Sequence, residues 1–348
     1  MRDRLAPAIE NLVRRCWPGA GVTALTHLAG DFSARRYLRA RVAGGSAPPT
    51  AVVMVLAGSG LPLSSEELAI FPEPPRELPF LDVHRLLAAI GVPVPAVYAT
   101  DLDAGVLLLE DAGDLLFWDW ARAHPGGAEA AYRRAVDVLA RLHTRGTASP
   151  DRTSIAFRQR FDARLYRWEL EHFQEWGIER GLGRTLDAAA RAGLDESFAA
   201  MSAELAAADV VLSHRDFHSW NLLVHDDAPV VIDFQDALLA AAEYDLASLL
   251  TDRVTPRLVD AALEDRLLDY YAAARGAPGA IDRRRYRLTA LHRALKVIGR
   301  LHYIAIEKGK PGPLAFLPDV VATAQRYLAQ VDLPGTLARD FPRLWPRR

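Results

Sequence analysis

Two short polar loops, each following an apolar run, constrain this chain more than any other feature of its sequence. The first loop begins at His214 with the sequence His-Arg-Asp-Phe-His-Ser-Trp-Asn, which contains Asp216 and Asn221. The second begins at Asp233, directly after the apolar run Val230–Ile232. Because both loops follow predicted neighbouring strands, we expect the two carboxylates and the amide to lie close together.

The residue types in these loops suit phosphoryl transfer. This reaction needs an oriented acceptor hydroxyl, a carboxylate near its proton, and oxygen ligands for the magnesium that accompanies nucleotide phosphates. Asp216 matches the carboxylate near the hydroxyl, while Asn221 and Asp233 match the magnesium ligands. A surface hairpin with unrelated carboxylates is the alternative, but chance produces the four fixed residues His-Arg-Asp-x4-Asn in roughly one chain of this length in several hundred. The pattern therefore predicts a small-molecule kinase.

The bulk composition limits the other classes of function. The 348 residues carry a formal net charge of −2 and scattered arginines, which gives no reason to expect a nucleic acid or a membrane surface as partner. Cys16 is the only cysteine, so a disulfide within the chain is excluded. No apolar run approaches the roughly 20 residues of a membrane span, and the first residues lack a signal-peptide core. We expect a soluble cytoplasmic protein, and the oligomeric state stays open.

The order of strand and helix patterns predicts an α+β protein with two lobes. Residues 1–110 form a small antiparallel-sheet lobe, residues 111–113 a hinge, and residues 114–348 a mainly helical lobe with the catalytic loop and the acceptor site. A loop or lid is predicted at 57–79. Predicted strands cover 22–28, 37–42, 50–56, 97–100 and 106–110. Predicted helices cover 5–15, 80–90, 128–143, 157–176, 184–207, 247–251, 256–274, 281–306 and 318–330.

The catalytic-loop sequence has the form His-x-Asp-x-His-x-x-Asn, with His218 at the place where eukaryotic protein kinases usually carry lysine. In this form it resembles the aminoglycoside phosphotransferase and choline kinase superfamily. Four further segments look like the bacterial cell-wall amino-sugar kinases, which are anomeric N-acetylmuramate/N-acetylglucosamine kinases of peptidoglycan recycling. These segments are Gly30–Tyr37, Asp233–Ala237, Tyr244–Leu246 and Leu295–Gly299. The similarity runs over nearly the whole chain in the same order.

The resemblance implies a two-lobed protein-kinase-like fold, ATP and magnesium as cofactors, and an amino sugar as acceptor. It makes Asp216 the catalytic base or hydroxyl-orienting carboxylate, and Asn221 and Asp233 the magnesium ligands. Further members of the catalytic loop are His214, Arg215 and His218. The hinge residues against which adenine would lie are Glu110, Asp111 and Gly113.

Binding of the nucleotide phosphates departs from the general kinase pattern at Met54. A kinase-like third strand usually carries a lysine at this place, paired with a glutamate on the next helix, and the sequence has neither. Loss of both partners together avoids an uncompensated buried charge. Arg35 and Arg36, at the turn between the first two strands, are the predicted substitutes, because guanidinium forks match phosphate oxygens.

The acceptor site has weaker candidates. They are Asp236, Asp245, Glu169 and His172. Asp245 is alternatively a brace for the catalytic loop from the start of a helix. His143 ends a helical pattern, and we expect it to be structural.

A basic stripe bears on the choice of acceptor. Arg293, Lys296 and Arg300 follow one another at helical spacing, and such a stripe is usually a solvated face. If it borders the cleft instead, it favours an acceptor with a carboxylate, such as N-acetylmuramate, over a polycationic aminoglycoside. The alternatives are an aminoglycoside or choline/ethanolamine-type phosphotransferase and, because of Met54, a catalytically silent nucleotide-binding pseudokinase.

Overall fold

The structure is a computed structural model that describes residues 2–28, 35–56, 75–124, 126–276 and 281–346. The chain forms two compact units, each assembled from separate segments. The first unit contains the described residues of Met1–Pro62 together with Pro93–Leu115 and Leu223–Ile232. The second contains the described residues of Leu63–Val92, Leu116–Leu222 and Asp233–Arg348.

The first unit is built on an antiparallel five-stranded sheet with the strand order β1-β2-β3-β5-β4. The strands are β1 (Gly21–His27), β2 (Arg36–Ala43), β3 (Thr50–Val55), β4 (Val97–Asp101) and β5 (Val106–Leu109). Helix α1 (Arg2–Cys16) packs against this sheet. The sequence prediction of these five strands and of the helix before them is confirmed.

Alternating burial explains how the sheet and α1 form one core. In β2, Leu38, Ala40 and Val42 are buried and their neighbours are exposed or half-buried, as expected for a strand with one face on the core. Ile9 and Leu12 of α1 belong to the same apolar cluster. The core of the first unit is therefore closed by an amphipathic helix on one face of the sheet.

A tight hairpin completes the first unit. Its strands are β7 (Leu222–His225) and β8 (Ala228–Val231), which pair as a separate two-stranded sheet. Asp226 and Asp227 at the turn have φ values of 48° and 57°, which is the geometry of a two-residue turn with both central residues left-handed. In the chain, the hairpin lies between the two polar loops that begin at His214 and Asp233.

The second unit is mainly helical. Its helices are α2 (Pro79–Ala89), α3 (Phe117–Ala123), α4 (Gly127–Thr147), α5 (Ala163–His172), α6 (Ala188–Ala206), α7 (Ala242–Thr251), α8 (Ala261–Ala274), α9 (Arg283–Ile306), α10 (Leu317–Leu328) and α11 (Leu337–Leu344). Strands β6 (Val210–Ser213) and β9 (Leu238–Ala241) pair antiparallel. None of the described helices is long and apolar enough to cross a membrane.

The helix boundaries differ from the sequence prediction where a cap decides them. Helix α5 begins at Ala163 and not at 157, because the Asp162 carboxylate accepts a hydrogen bond from the backbone N–H of Leu165. Of the predicted loop at 57–79, residues 57–74 lie outside the described residues, and α2 begins at Pro79. Residues 75–92 cluster with the second unit. The lobe boundaries at 110 and 113 stay a prediction.

Helix α9 packs against several other helices of the second unit, and its backbone passes close to another segment at Gly299. Helix α5 continues into a π-helical segment, Phe173–Arg180, which packs against α9. A Cβ atom at position 299 would lie 2.8 Å from the Cα atom of Phe173 and 3.1 Å from the carbonyl oxygen of His172. Only glycine permits this approach of two backbones.

We expect Gly299→Ala to lower the free energy of unfolding by about 1–3 kcal/mol, because the added methyl group meets backbone atoms that cannot rotate away. Urea unfolding followed by circular dichroism measures the change. Gly312→Ala is the matched control, since a Cβ at position 312 would meet nothing within 4 Å, and its effect should stay within about 0.5 kcal/mol. Equal effects of the two substitutions would contradict the proposed steric cause.

Candidate active site

The catalytic loop is held from behind by a buried carboxylate. Asp245, in the first turn of α7, accepts hydrogen bonds from the backbone N–H groups of His214 at 2.8 Å and Arg215 at 2.9 Å. The Nε2 atom of His143 lies 3.0 Å from the same carboxylate, and Tyr271 contacts the other ring nitrogen. Burial alone would raise the pKa of Asp245, but His143 and the backbone N–H donors outweigh it and lower that pKa. The predicted bracing by Asp245 and the structural place of His143 are confirmed.

Two residues of these loops hold left-handed backbone conformations. The φ angle of Arg215 is 78° and that of Asp233 is 60°, in a region where residues other than glycine are uncommon. For Arg215, the hydrogen bond to Asp245 supports this conformation. The turn at Arg215 directly precedes Asp216, so the brace and the turn together fix the start of the reactive segment.

Asp216 lies beside two cations of α9. Both terminal nitrogens of Arg293 are 3.4 Å from its Oδ1 atom, and the Nζ atom of Lys296 is 3.8 Å from the same oxygen. The Asp216 side chain is 36% exposed, whereas those of Arg293 and Lys296 are 4% and 14% exposed. Burial would raise the pKa of Asp216, but Lys296, Arg293 and Arg215 hold it well below its usual value. Asp216 is therefore an ionised, partly open carboxylate in a cationic setting.

Glu169 of α5 is the anchor for two cations, Lys296 and Arg215. Its carboxylate lies 2.8 Å from the Nζ atom of Lys296 and 3.2 Å from a terminal nitrogen of Arg215, and it accepts a hydrogen bond of 3.2 Å from the Tyr244 hydroxyl. Burial raises the pKa of Tyr244 to about 12, so this hydroxyl keeps its proton. The Glu169 side chain is 0% exposed. The expected contact between Glu169 and the acceptor therefore needs correction, because a fully covered carboxylate exposes no atom to a ligand.

The metal-ligand candidates offer oxygen atoms suited to magnesium. The Nδ2 atom of Asn221 donates to the Asp216 carbonyl oxygen at 3.0 Å, which leaves the Asn221 side-chain oxygen for a cation. Asp233 is exposed, and its Oδ1 atom accepts a hydrogen bond from Gln235. Among the described residues, no group of three or more His, Cys, Asp or Glu side chains is arranged to hold a metal. This donor set fits magnesium, which usually takes one or two protein oxygens and completes its shell with phosphates and water.

The remaining loop histidines are buried. His214 is 1% exposed, and its Nδ1 atom accepts a hydrogen bond of 3.3 Å from the backbone N–H of Asp216. His218 is 8% exposed, and burial lowers its pKa to about 4, so the ring is neutral at pH 7. Neither ring is an open acid or base, and His214 helps to fix the loop through its hydrogen bond with Asp216.

In the first unit, the predicted hinge is tied to the sheet by an arginine. Arg39 of β2 donates to Asp111 at 2.6 and 2.8 Å and to Asp114 at 2.6 and 2.9 Å. Glu110 accepts a hydrogen bond from the backbone N–H of Ala96 at 2.9 Å, and Gly113 has a φ of 83°. The side chains of Asp111 and Glu110 are thus committed to protein partners. The backbone N–H of Glu110 donates to the Ala96 carbonyl oxygen at 2.8 Å, and that of Gly113 donates to the Asp111 carboxylate at 3.1 Å.

The candidates for nucleotide phosphates lie at the start of β2. Arg35 is half-buried and Arg36 is exposed, whereas the turn residues 29–34 before them lie outside the described residues. Met54 is fully buried in β3, opposite Tyr37 and Leu107 in the sheet register. The apolar Met54 side chain therefore fills, within the sheet, the position where the general kinase pattern has a lysine.

The weaker acceptor candidates divide by exposure. Asp245 has no exposed atoms and acts on the loop, so the expected contact between Asp245 and the acceptor also needs correction. Asp236 is half-buried. His172 is half-buried among three aromatic rings, with centroid distances of 5.4 Å to Trp168, 6.2 Å to Trp176 and 5.4 Å to Tyr303. Only Asp236 and His172 keep surface that an acceptor could reach.

Comparison with known proteins now gives the family. Residues 24–289 match the family model described as the phosphotransferase enzyme family (APH). The chain belongs to this family. Two curated relatives are each named N-acetylmuramate/N-acetylglucosamine kinase. The one from Pseudomonas putida is 31% identical over 311 residues, with 87% of this chain and 83% of the relative covered. The one from Neisseria meningitidis is 30% identical over 316 residues, with 87% and 86% covered.

Solved structures support the same fold for this phosphotransferase. A choline kinase from Streptococcus pneumoniae has a TM-score of 0.60 at 14% identity, with 94% of this chain and 99% of that chain covered. An ADP-bound aminoglycoside phosphotransferase has a TM-score of 0.57 at 15% identity, with 92% and 97% covered. The predicted α+β, protein-kinase-like fold is confirmed. The protein is a nucleotide-dependent phosphotransferase.

Several partners in the phosphotransferase site were not apparent from the sequence. Arg39 is one of many scattered arginines, and its partner Asp111 lies 72 residues further along the chain. The interpretation of the basic stripe as a solvated face is wrong for Arg293 and Lys296. Arg293 is buried and Lys296 is half-buried, and both lie beside Asp216. The available signal was Lys296 itself, because it follows Leu295 within a segment that is otherwise apolar.

We expect Asp245→Asn to lower the free energy of unfolding of the phosphotransferase by about 3 kcal/mol at pH 7, because an amide cannot replace a carboxylate that accepts several buried hydrogen bonds. Because the pKa of Asp245 is lowered in the folded state, its contribution is present above its ordinary value of 3.8 and is lost as the pH falls through the lower value. Urea unfolding at pH 7 and at about pH 3 tests both points.

Asp269→Asn is the matched control for Asp245→Asn. Asp269 pairs with Arg283 at the surface and is 78% exposed, so its substitution should change stability by less than about 0.5 kcal/mol. If the gap between Asp245→Asn and the wild type were the same at both pH values, the buried charge would not be the source of the stability.

Proposed function

We propose that this phosphotransferase is an ATP-dependent kinase of an amino sugar, N-acetylmuramate or N-acetylglucosamine, and that it phosphorylates the anomeric hydroxyl in the cytoplasm during peptidoglycan recycling. The strongest support is the setting of Asp216, a partly exposed carboxylate with Arg293 and Lys296 within 4 Å. The names of the curated relatives support the same acceptor class. A site with this excess of positive charge suits a neutral or carboxylate-bearing sugar.

Asp216 would orient the acceptor hydroxyl and take its proton. The acceptor oxygen forms a bond to the γ-phosphorus while the bond from that phosphorus to the bridging oxygen breaks, and ADP leaves with the electron pair. Asn221 and Asp233 would hold magnesium, which when bound neutralises charge on the phosphates. In the chain, Asn221 directly precedes the hairpin β7–β8 and Asp233 follows it.

The nucleotide would contact residues of the first unit. We assign the backbone of Glu110, Asp111 and Gly113 to adenine, because their side chains are committed or absent while a backbone C=O group can accept a hydrogen bond from a base edge. Arg35 and Arg36 are assigned to the phosphates in place of the lysine that Met54 replaces.

The competing functions make different demands on charge. An aminoglycoside or choline is cationic, and a cationic acceptor would be repelled by Arg293 and Lys296 next to the reactive carboxylate. A pseudokinase is motivated by Met54, but Asp216, Asn221 and Asp233 are all retained. A panel of neutral, acidic and cationic acceptors separates these functions.

Incubation of the purified protein with ATP, magnesium and a panel of acceptors tests the proposal, with phosphorus resonances identifying each product. The panel contains N-acetylmuramate, N-acetylglucosamine, glucose, choline and kanamycin. We expect a sugar 1-phosphate from at least one of the two N-acetylated sugars. Turnover of kanamycin or choline alone would replace the proposed acceptor class. Nucleotide binding without turnover of any acceptor would favour the pseudokinase.

Asp216→Ala should lower kcat by about two orders of magnitude or more, as expected when a carboxylate that orients the hydroxyl and accepts its proton is removed. Steady-state kinetics on the best acceptor of the panel measures the loss, and thermal unfolding checks the fold. Asp265→Ala, at a site that is 70% exposed and paired with Arg283, is the control and should keep kcat. A kcat within threefold of the wild type would remove Asp216 from this role.

A further inference from the structure

The charges around Asp216 do not cancel. Within the cluster, the carboxylates of Glu169 and Asp216 face the cations Arg215, Arg293 and Lys296, which leaves one positive charge in excess. Asp252, 4.0 Å from Arg293, pairs with Arg253 at 3.5 Å, and this second pair adds no net charge. An uncompensated charge in a mostly buried cluster is costly, so a binding partner of opposite charge is the expected complement.

The three cations differ in their exposure to solvent and in their partners within the protein. The Arg215 side chain is 2% exposed and lies against Glu169. The Arg293 side chain is 4% exposed and donates to the Arg215 carbonyl oxygen at 2.9 Å. Lys296 is the most exposed of the three at 14%, and its Nζ atom lies next to the open carboxylate of Asp216. The excess charge is therefore accessible at Lys296.

The ammonium group of Lys296 is also fixed in place. It lies 2.8 Å from Glu169 and donates to the Tyr244 hydroxyl at 3.2 Å, and this hydroxyl in turn donates to Glu169. A lysine side chain otherwise has many rotamers, so two buried partners preorganise the charge before any ligand binds. Preorganised charge is what phosphoryl transfer needs most from a protein, because negative charge is spread over the oxygens of the transferred group.

On the basis of the proposed function, we propose that Lys296 is a second catalytic residue whose ammonium group contacts the phosphoryl group as it moves from ATP to the acceptor hydroxyl beside Asp216. Glu169 is then a positioning residue that acts through Lys296. Lys296 stays protonated throughout: the acceptor proton goes to Asp216, the new bond joins the acceptor oxygen to phosphorus, and the bond to the leaving ADP oxygen breaks. The lysine offsets the repulsion between the phosphoryl oxygens and the Asp216 carboxylate.

The test compares Lys296→Met, Lys296→Arg and the double variant Glu169→Gln/Lys296→Met with the wild type. Lys296→Met alone removes one of the two cations that contact Glu169, the other being Arg215, and can disturb folding. The double variant removes both charges of the pair between Glu169 and Lys296. We expect kcat to fall about 10²- to 10³-fold in both methionine variants, with less than a threefold change in the Kd for ATP. Lys296→Arg should recover at least about tenfold of the loss, because it keeps the charge.

Lys310→Met is the control for charge alone, since it removes an exposed lysine beyond the end of α9, and it should keep kcat. Thermal unfolding of each variant separates a loss of fold from a loss of rate. A double variant that folds and retains kcat within threefold of the wild type would overturn the role of Lys296. A loss confined to the KM for N-acetylmuramate, with N-acetylglucosamine turned over normally, would also overturn it and make Lys296 a carboxylate anchor.

Slow ATP hydrolysis without a sugar separates this proposal from the choice of acceptor, because water then takes the same phosphoryl group. The methionine variants should lower the hydrolysis rate by at least about tenfold. If the wild type phosphorylates none of the sugars but the variants lose hydrolysis, the acceptor class is wrong and the role of Lys296 stands. If hydrolysis is unchanged while sugar phosphorylation by the wild type proceeds, the role of Lys296 is wrong.

Discussion

A carboxylate with no exposed atoms, Asp245, determines the shape of the catalytic loop. A buried charge persists in a protein only where hydrogen bonds replace its lost hydration. Asp245 obtains them from the backbone N–H groups of His214 and Arg215 and from the ring of His143. The two N–H groups are consecutive, so they point to one carboxylate only if the chain turns at this place. The left-handed conformation of Arg215, with a φ of 78°, is that turn.

A second buried carboxylate carries the order of the loop into the helices. Glu169 binds Arg215 from the loop and Lys296 from α9. Helices α7 and α8 separate these two cations in the chain. Its position in α5 means that three elements of the second unit share one polar centre. Within such a centre each group keeps its charge only while the others are present. The ion pairs of Glu169 therefore fix the positions of the loop, α5 and α9 relative to one another.

Sequence patterns predicted the elements that are long enough for their apolar positions to repeat several times. The five strands of the first unit and helices such as α4 and α9 repeat their apolar positions several times. Helices α3 and α11 have 7 and 8 residues, and β9 has 4, so their patterns barely repeat. The helical start at 157 was wrong because the sequence does not reveal which of several polar residues becomes the cap, and Asp162 does.

The candidate site was predictable where chemistry is local and not where it depends on distant partners. Asp216, Asn221 and Asp233 stand out because their spacing is short. The ion pairs between Glu169 and Arg215, 46 residues apart, and between Arg39 and Asp111, 72 residues apart, have no sequence signature in a chain with many arginines and carboxylates. Burial also decides roles: Glu169, predicted as an acceptor contact, is fully covered, and Lys296, predicted on a solvated face, is half-buried.

The contact at Gly299 has a consequence for how this enzyme can change. Because the backbone of α9 touches the chain at His172 and Phe173, α9 and the end of α5 cannot slide past each other without opening a gap. Lys296 lies one helical turn before this contact. Under the proposed function, exchange of half-buried side chains such as His172 or Trp168 would change the acceptor preference, while the distance between the charged centre and that surface stays constant. The close contact at Gly299 would thus keep the reactive groups in place while the side chains that face the acceptor change.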